Sequence, residues 1–511
     1  MPPAGDSADA ALPREPFELT IYLRPPGRPW LRRPGSGPDL DDLTGETVTR
    51  EQLEAERAAA FAAPIAVLRR FAQATGLDFV DIDPLRCQVH VRIPAEIVER
   101  VLGVQIGLVE HLGARFRCPL GPLTVPPAIA SLVQAIVGLD ERPHVRKLRP
   151  MVGAACGDGL LPSAIAGLYG LTAPRNGAGQ CVAIIEPAGG YSADDLKAAC
   201  QAMNVPVPEV VDVSVDHGHN DFGQNAQFDQ EVGLDIQVVA GVAPAARIAI
   251  YFTTNSERGL ADAVAAAVHD KANRPSVVLM TWGEAESAFP RQARIAMDSV
   301  LADAAKLGVT VVAAAGDFLA TDQVNDGKAH VDYPASSPYV LGCGGTAITL
   351  DASGASIAAE AVWNEGVTGT GGGISDLYLV PAFQHGIALP PSANGDGRKG
   401  RGVPDVAAAA AAVNGYRVVI GGATIVASGT SAVAPLWGAS IALANAERGK
   451  PLGFLNTRLY QQPPLLRPIT EGNNIQSGTA LGYPAAAGWS ACTGLGVPKG
   501  ADLIRALTAI A

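Results

Sequence analysis

Gly308-Val309-Thr310-Val311-Val312-Ala313-Ala314-Ala315 reads as a fully buried strand, and it stops at Gly316-Asp317. A continuous apolar run of this kind suits a strand covered by helices on both faces, as in a parallel sheet. An Asp just past such a strand stands where open α/β sheets hold their ligands. It equally suits an Asx turn or a helix cap.

The same pattern recurs on both sides. Buried strands are expected at 181–186, 208–214, 246–252, 276–281, 308–315 and 339–343, with helices such as Ala193–Met203, Gly259–Asp270 and Pro290–Leu307 between them. Alternating strand and helix units build a doubly wound, mainly parallel sheet with flanking helices, an α/β fold. Right-handed crossovers then bring the strand ends carrying Trp282 and Asp317 to one face.

The N-terminal part follows a different plan. Phe17 to Leu23 alternates as a half-buried strand does, and a Pro/Gly/Arg-rich loop follows. A helix is expected over 50–74, starting near Thr47 or Thr49, then strands at Asp78–Ile82 and Gln88–Ile93. Pro94 opens a short helix to Leu102, a strand pair spans 104–118, and a further helix is expected near 127–137. This order describes an α+β unit of the ferredoxin-like type. Arg142-Pro143-His144-Val145-Arg146-Lys147-Leu148-Arg149-Pro150 then reads as an exposed, cleavable linker, dividing the chain into 1–150 and 151–511.

Chemistry is concentrated in two places besides Asp317. Ser428-Gly429-Thr430-Ser431-Ala432-Val433-Ala434-Pro435 is a small-residue turn that presents a hydroxyl and leads into a helix, where helical N–H groups can support charge. A turn of this composition is also common at ordinary loop-to-helix junctions. Phe228 to Ala240 is an apolar segment, read as a buried helix, that carries Glu231 and Asp235 one turn apart on one face. Two buried carboxylates at that spacing repel unless they share a proton or find donors, and acid/base sites use such pairs. The eight histidines are scattered, so a nucleophilic Ser431 has no histidine base in view.

These residues resemble the sedolisins, or serine-carboxyl peptidases, and among them the kumamolisin-like branch. The resemblance rests on Glu231-x-x-x-Asp235, Ala315-Gly316-Asp317 and Ser428 to Pro435, and on matching text at Pro275 to Val278, Trp282-Gly283, Asp332 to Val340, Gly372 to Ser375 and Arg401 to Val406. It implies a subtilisin-like fold, with Ser431 as nucleophile, Glu231 as general base, Asp235 orienting it and Asp317 as the oxyanion-hole acid. Glu186 and Trp282 match positions that extend the network behind the base in some members. Asp332 lies in a segment that lines the substrate cleft in similar enzymes, and Gly372 and Gly373 lie where a substrate backbone approaches closely.

The resemblance also implies an acid-active endopeptidase made as a self-processing zymogen. Its N-terminal unit would be a propeptide inhibitor, cut between about 145 and 165. A tripeptide-releasing exopeptidase, or an inactive binding protein on the same fold, are the alternatives. Three departures stand out. Phe318-Leu319-Ala320 follows Asp317 where small residues are usual, and no signal peptide is seen. Pro468 and Ser490 replace the two Asp ligands of the family's calcium site, so no metal is expected.

Composition narrows the partners. A formal net charge of −12 argues against nucleic acid and against a polybasic membrane patch. No apolar run reaches the roughly 18 residues of a membrane span. Met1 to Pro16 lacks the basic start and apolar core of a signal peptide, although acid proteases of this kind are expected outside the cytoplasm. Seven irregularly spaced cysteines offer no metal-ligand spacing and no necessary disulfides. Protein or peptide substrates, the chain's own propeptide and a monomeric state complete the expectation.

Overall fold

The computed structural model describes residues 15–25, 47–145, 158–461 and 465–509. The Pro/Gly/Arg-rich loop, most of Met1 to Pro16, the 146–150 end of the basic run and Cys156 lie outside the described residues.

The N-terminal unit runs β1 (Phe17–Leu23), α1 (Arg50–Thr75), β2 (Asp78–Asp83), β3 (Gln88–Ile93), α2 (Val98–Leu102), β4 (Ile106–His111), β5 (Ala114–Pro119) and β6 (Val133–Val137). Thr49 is the α1 cap: its side chain accepts from Gln52 N–H while the Gln52 side chain accepts from Thr49 N–H, satisfying two orphan donors. The antiparallel sheet has the order β2-β3-β1-β6, which is the ferredoxin-like arrangement. The expected helix near 127–137 is therefore wrong: Val133-Gln134-Ala135-Ile136-Val137 is the fourth strand, pairing Thr20 with Val137 and Ile21 with Ile136. Its β-branched residues fit the open edge of β1, and tertiary pairing overrides any helical reading. The 104–118 pair forms a separate two-stranded hairpin, β4–β5, outside that sheet.

The larger unit runs α3 (Pro162–Leu168), β7 (Cys181–Glu186), α4 (Ala193–Met203), β8 (Val210–Ser214), α5 (Ala226–Val242), β9 (Arg247–Phe252), α6 (Glu257–His269), β10 (Val277–Met280), β11 (Glu284–Ala285), α7 (Arg291–Lys306), β12 (Thr310–Ala314), β13 (Asp332–Tyr333) and β14 (Leu341–Leu350). It continues with β15 (Ile357–Val362), β16 (Gly373–Ile374), β17 (Gly402–Val403), β18 (Val406–Ala409), β19 (Tyr416–Ile420), β20 (Ala423–Ala427) and α8 (Thr430–Arg448). The main sheet has the order β15-β14-β12-β10-β7-β9-β8, with β18 also on β14. All these pairings are parallel except β14 with β15. All six expected strands are present. Val277–Met280 and Thr310–Ala314 are buried at every position, as strands covered on both faces must be. Among the described residues no helix is long and apolar enough to cross a membrane.

The two units meet where the N-terminal sheet lies over α6 and α7. Thr20 and Tyr22 hydroxyls donate to Asp262 at 2.6 and 2.8 Å, and Gln88 Nε2 adds a third donor at 2.7 Å. Arg57, 1% exposed, forks onto both oxygens of Asp303 at 2.6 and 2.7 Å. Arg258 reaches Glu18 at 2.9 Å and Asp216 at 2.5 Å. Buried charges demand this kind of pairing, because an unpaired one would be strongly unfavourable. The basic run behaves differently from its expected role. Arg142 pairs with Asp140 of its own segment, and His144 and Val145 are buried rather than exposed.

Candidate active site

Right-handed crossovers place the functional side chains at one end of the sheet. Glu186 is the last residue of β7, Trp282 follows β10, and Asp317 follows β12. Helices α5 and α8 pack against each other over that sheet, bringing Glu231 and Asp235 from one and Ser431 from the other. Asn225 caps α5 by accepting from the N–H groups of Gln227 and Phe228, which fixes the helix start one turn before Glu231. Glu186, Glu231, Asp235, Asp317 and Ser431 are fully buried, and Trp282 is nearly so.

Two of the buried carboxylates have hydrogen-bond donors. Trp282 Nε1 donates to Glu186 Oε2 at 2.7 Å, and Thr281 Oγ1 donates to Asp235 Oδ2 at 2.8 Å. Burial raises the Asp235 pKa well above the usual carboxyl range, and the nearby charges of Glu186 and Glu231 raise it further. The protonated form of Asp235 is therefore favoured over that of an ordinary exposed carboxyl.

Asp317 is set at the start of α8. Its Oδ1 accepts the Thr430 N–H and the Thr430 hydroxyl, both at 2.7 Å, while Oδ2 has no hydrogen-bond partner. Burial pushes its pKa up to about 7 against the lowering effect of Thr430. Gly429, at φ 127°, is a conformation only glycine adopts readily, and a Cβ there would lie 2.4 Å from Asp317 Oδ2. Thr430 Oγ1 also accepts the Gly316 N–H at 3.2 Å, so the two chemistry-bearing turns are fastened together.

The Ser431 hydroxyl makes no hydrogen bond. Glu231 and Ser431 are therefore not joined by a hydrogen bond at that hydroxyl. None of the eight histidines contacts that hydroxyl, which leaves carboxylates as the available acid/base groups.

Asp332 is 1% exposed and sits between Gly283 and Gly316. Its oxygens lie 2.0 Å from where a Gly283 Cβ would be and 3.1 Å from where a Gly316 Cβ would be. At Gly372 the place of a Cβ is filled by Ala491 O at 2.3 Å, and Gly373 packs on Tyr483 and Val331, so both glycines serve internal packing. Phe318 and Leu319 are buried against Gly369. Thr281, Thr430 and Asn255 were not singled out by sequence reasoning. Thr430 lies within the quoted turn, whereas Thr281 and Asn255 carry no signal beyond their closeness to strand ends.

The C-terminal loop is closed by its own bonds. Ser490 and Gly494 exchange backbone hydrogen bonds at 2.8 and 2.7 Å, and Ser490 Oγ accepts the Cys492 N–H at 3.1 Å. Arg467 pairs with Glu360 rather than with loop carbonyls. Among the described residues no group of three or more His, Cys, Asp or Glu is placed to hold a metal ion.

Comparison with known proteins places this geometry. The Subtilase family model matches residues 212–458. Kumamolisin of Bacillus sp. (strain MN-32) is 43% identical over 457 residues, covering 86% of this chain and 82% of that protein. Tripeptidyl-peptidase 1 of Homo sapiens is 28% identical over 422 residues, covering 76% and 72%. Among solved structures, Pseudomonas sedolisin, a serine-carboxyl proteinase complexed with pseudo-iodotyrostatin, aligns with a TM-score of 0.60 at 27% identity, covering 68% of this chain and 98% of that one. The chain belongs to the sedolisin family of serine-carboxyl peptidases, in its kumamolisin-like branch.

Proposed function

We propose that this protein is an acid-active endopeptidase in which Ser431 attacks the peptide carbonyl and Glu231 takes its proton. Asp235, hydrogen-bonded by Thr281, orients Glu231. Protonated Asp317 donates to the developing oxyanion. Glu231 then returns the proton to the leaving amine, and water attacks the acyl-serine by the same route in reverse. The observation that carries this reading is Asp317 Oδ2: buried, without a partner and beside the Ser431 turn, it is free to present a proton to an oxyanion. An ionised Asp317 would repel that charge, so the chemistry belongs below about pH 7. Assay of peptide hydrolysis across pH, with Asp317→Ala alongside, tests it.

Residues 1–150 act as a propeptide and 151–511 as the peptidase on this reading. The buried Arg57–Asp303 pair and the Asp262 and Arg258 contacts support the role, because they hold the N-terminal sheet on the larger unit through carboxylates. An acid working range fits a protein acting outside the cytoplasm. The family's calcium ion would lack its two carboxylate ligands here, since Pro468 and Ser490 stand in their places. Ser490 Oγ and its carbonyl are already engaged, and the Arg467 guanidinium adds positive charge beside Pro468.

A further inference from the structure

The segment leading out of the N-terminal unit is held through its backbone as well as by its side chains. Glu257, the first residue of α6, accepts the N–H groups of Gly138 at 2.9 Å and Asp140 at 3.3 Å. Asn255 then grips one residue from both sides. Its Oδ1 accepts the N–H groups of His144 and Val145, each at 3.1 Å, and its Nδ2 donates to Val145 O at 2.9 Å. The Val145 side chain is 5% exposed and joins the core of the larger unit. An amide that satisfies the N–H and the C=O of one residue reads any extended peptide, as a neighbouring strand would.

The position is close to the chemistry. Asn255 lies three residues past β9, β9 pairs with β7, and Thr253 N–H donates to the carbonyl of Glu186 at 2.9 Å. Residues 138–145 lie at the start of α6, and Leu160 is paired with Gly415 and Arg417, on the strand and hairpin that lead to the Ser431 turn.

We infer that Asn255 and the Val145 recess form a substrate subsite on the N-terminal side of the cut bond, one that takes an extended backbone and a single aliphatic side chain. In the uncut chain Val145 occupies it. Once the N-terminal unit has left, Asn255 loses three hydrogen bonds and the recess loses its apolar filling, and an incoming peptide restores both. This deepens the peptidase reading and rests on it. It also favours endopeptidase action, because a chain seated here continues away from the cut bond instead of ending close to it.

Two fluorogenic peptides with the same cut bond test the proposal. One is short; the other is extended on its N-terminal side, with a Val walked outward one residue at a time. The full chain is assayed after incubation in acid. Each ratio of KM values is taken within one protein, so any loss of folded material cancels. One Val position should lower the wild-type KM by about tenfold with kcat little changed, the scale of two or three hydrogen bonds and a buried side chain. In Asn255→Ala the KM of the long peptide should rise to that of the short one. A wild-type ratio near one at every position, or a ratio that survives Asn255→Ala, would overturn the subsite while leaving the peptidase intact. Failure of the wild-type protein to cut either peptide would instead overturn the peptidase reading and the subsite with it.

Discussion

Asp317 is bound to Thr430, the residue before Ser431, through one oxygen that accepts both its N–H and its hydroxyl. The other oxygen is thereby aimed past Gly429, where the missing side chain leaves it room. On the proposed mechanism, the acid that faces the oxyanion is positioned by the same turn that presents the nucleophile.

Activity should therefore fall with an alkaline limb near the Asp317 value of about 7. Asp317→Ala should lose about 10²–10³ in kcat, the usual effect of removing one oxyanion donor. Thr430→Val removes a hydrogen bond that lowers the Asp317 pKa, so its limb should move to higher pH. A limb that stays put in Thr430→Val, read from kcat against pH, would separate Asp317 from the titration.

Stability carries the same signature. The folded Asp317 pKa lies above the ordinary 3.8, so its favourable effect is complete in acid and is lost as pH rises towards about 7. Asp317→Asn should flatten the fall of Tm over that interval. An unaltered Tm–pH slope in the variant would count against a protonated, buried Asp317.

Docking of the N-terminal unit should respond to pH in the opposite sense. Arg258 lowers the Glu18 pKa to about 2 from 4.5, so that contact is complete above about 4.5 and is lost as pH falls towards 2. Processing followed by gel should be faster at about pH 3.5 than at about pH 7.5, and Glu18→Gln should speed it at the higher pH. Faster maturation of the wild type at the higher pH is the opposing result.

Much of this was legible in the sequence, for physical reasons. Five of the six parallel strands are mostly apolar runs, β8 with Asp212 and Ser214 being the exception, and Glu231 and Asp235 share a helix face by spacing alone. The strand Val133–Val137 was misread because a short apolar run acquires its type from the edge it joins, here that of β1. The burial of Val145 was hidden because its partner Asn255 is 110 residues away in sequence. Thr281 and Thr430 were invisible as ligands of carboxylates because a Thr at a strand end or helix start has many ordinary uses.

If Asp332, buried between Gly283 and Gly316, borders the substrate cleft, its carboxylate should favour a Lys or Arg near the cut bond. Peptide-library cleavage with Asp332→Asn should lose any such preference. Identical profiles for the two proteins would confine Asp332 to a structural role.

Calcium should leave the protein unaffected. Chelation is expected to shift the Tm by no more than about a degree, because the loop around Ser490 is closed by its own hydrogen bonds. A fall of several degrees, reversed by added calcium, would show that carbonyls alone suffice to bind the ion.

The central claim is that Ser431 is activated by a carboxylate, and one comparison tests it most directly. Wild type, Ser431→Ala and Glu231→Gln are incubated at about pH 4 with a casein-like protein, and both substrate products and the chain's own intact mass are followed by mass spectrometry. The wild type should cut the substrate and shed its N-terminal unit near residue 150, whereas each variant should lose several powers of ten in both rates. Undiminished cutting by Ser431→Ala or by Glu231→Gln would contradict the account.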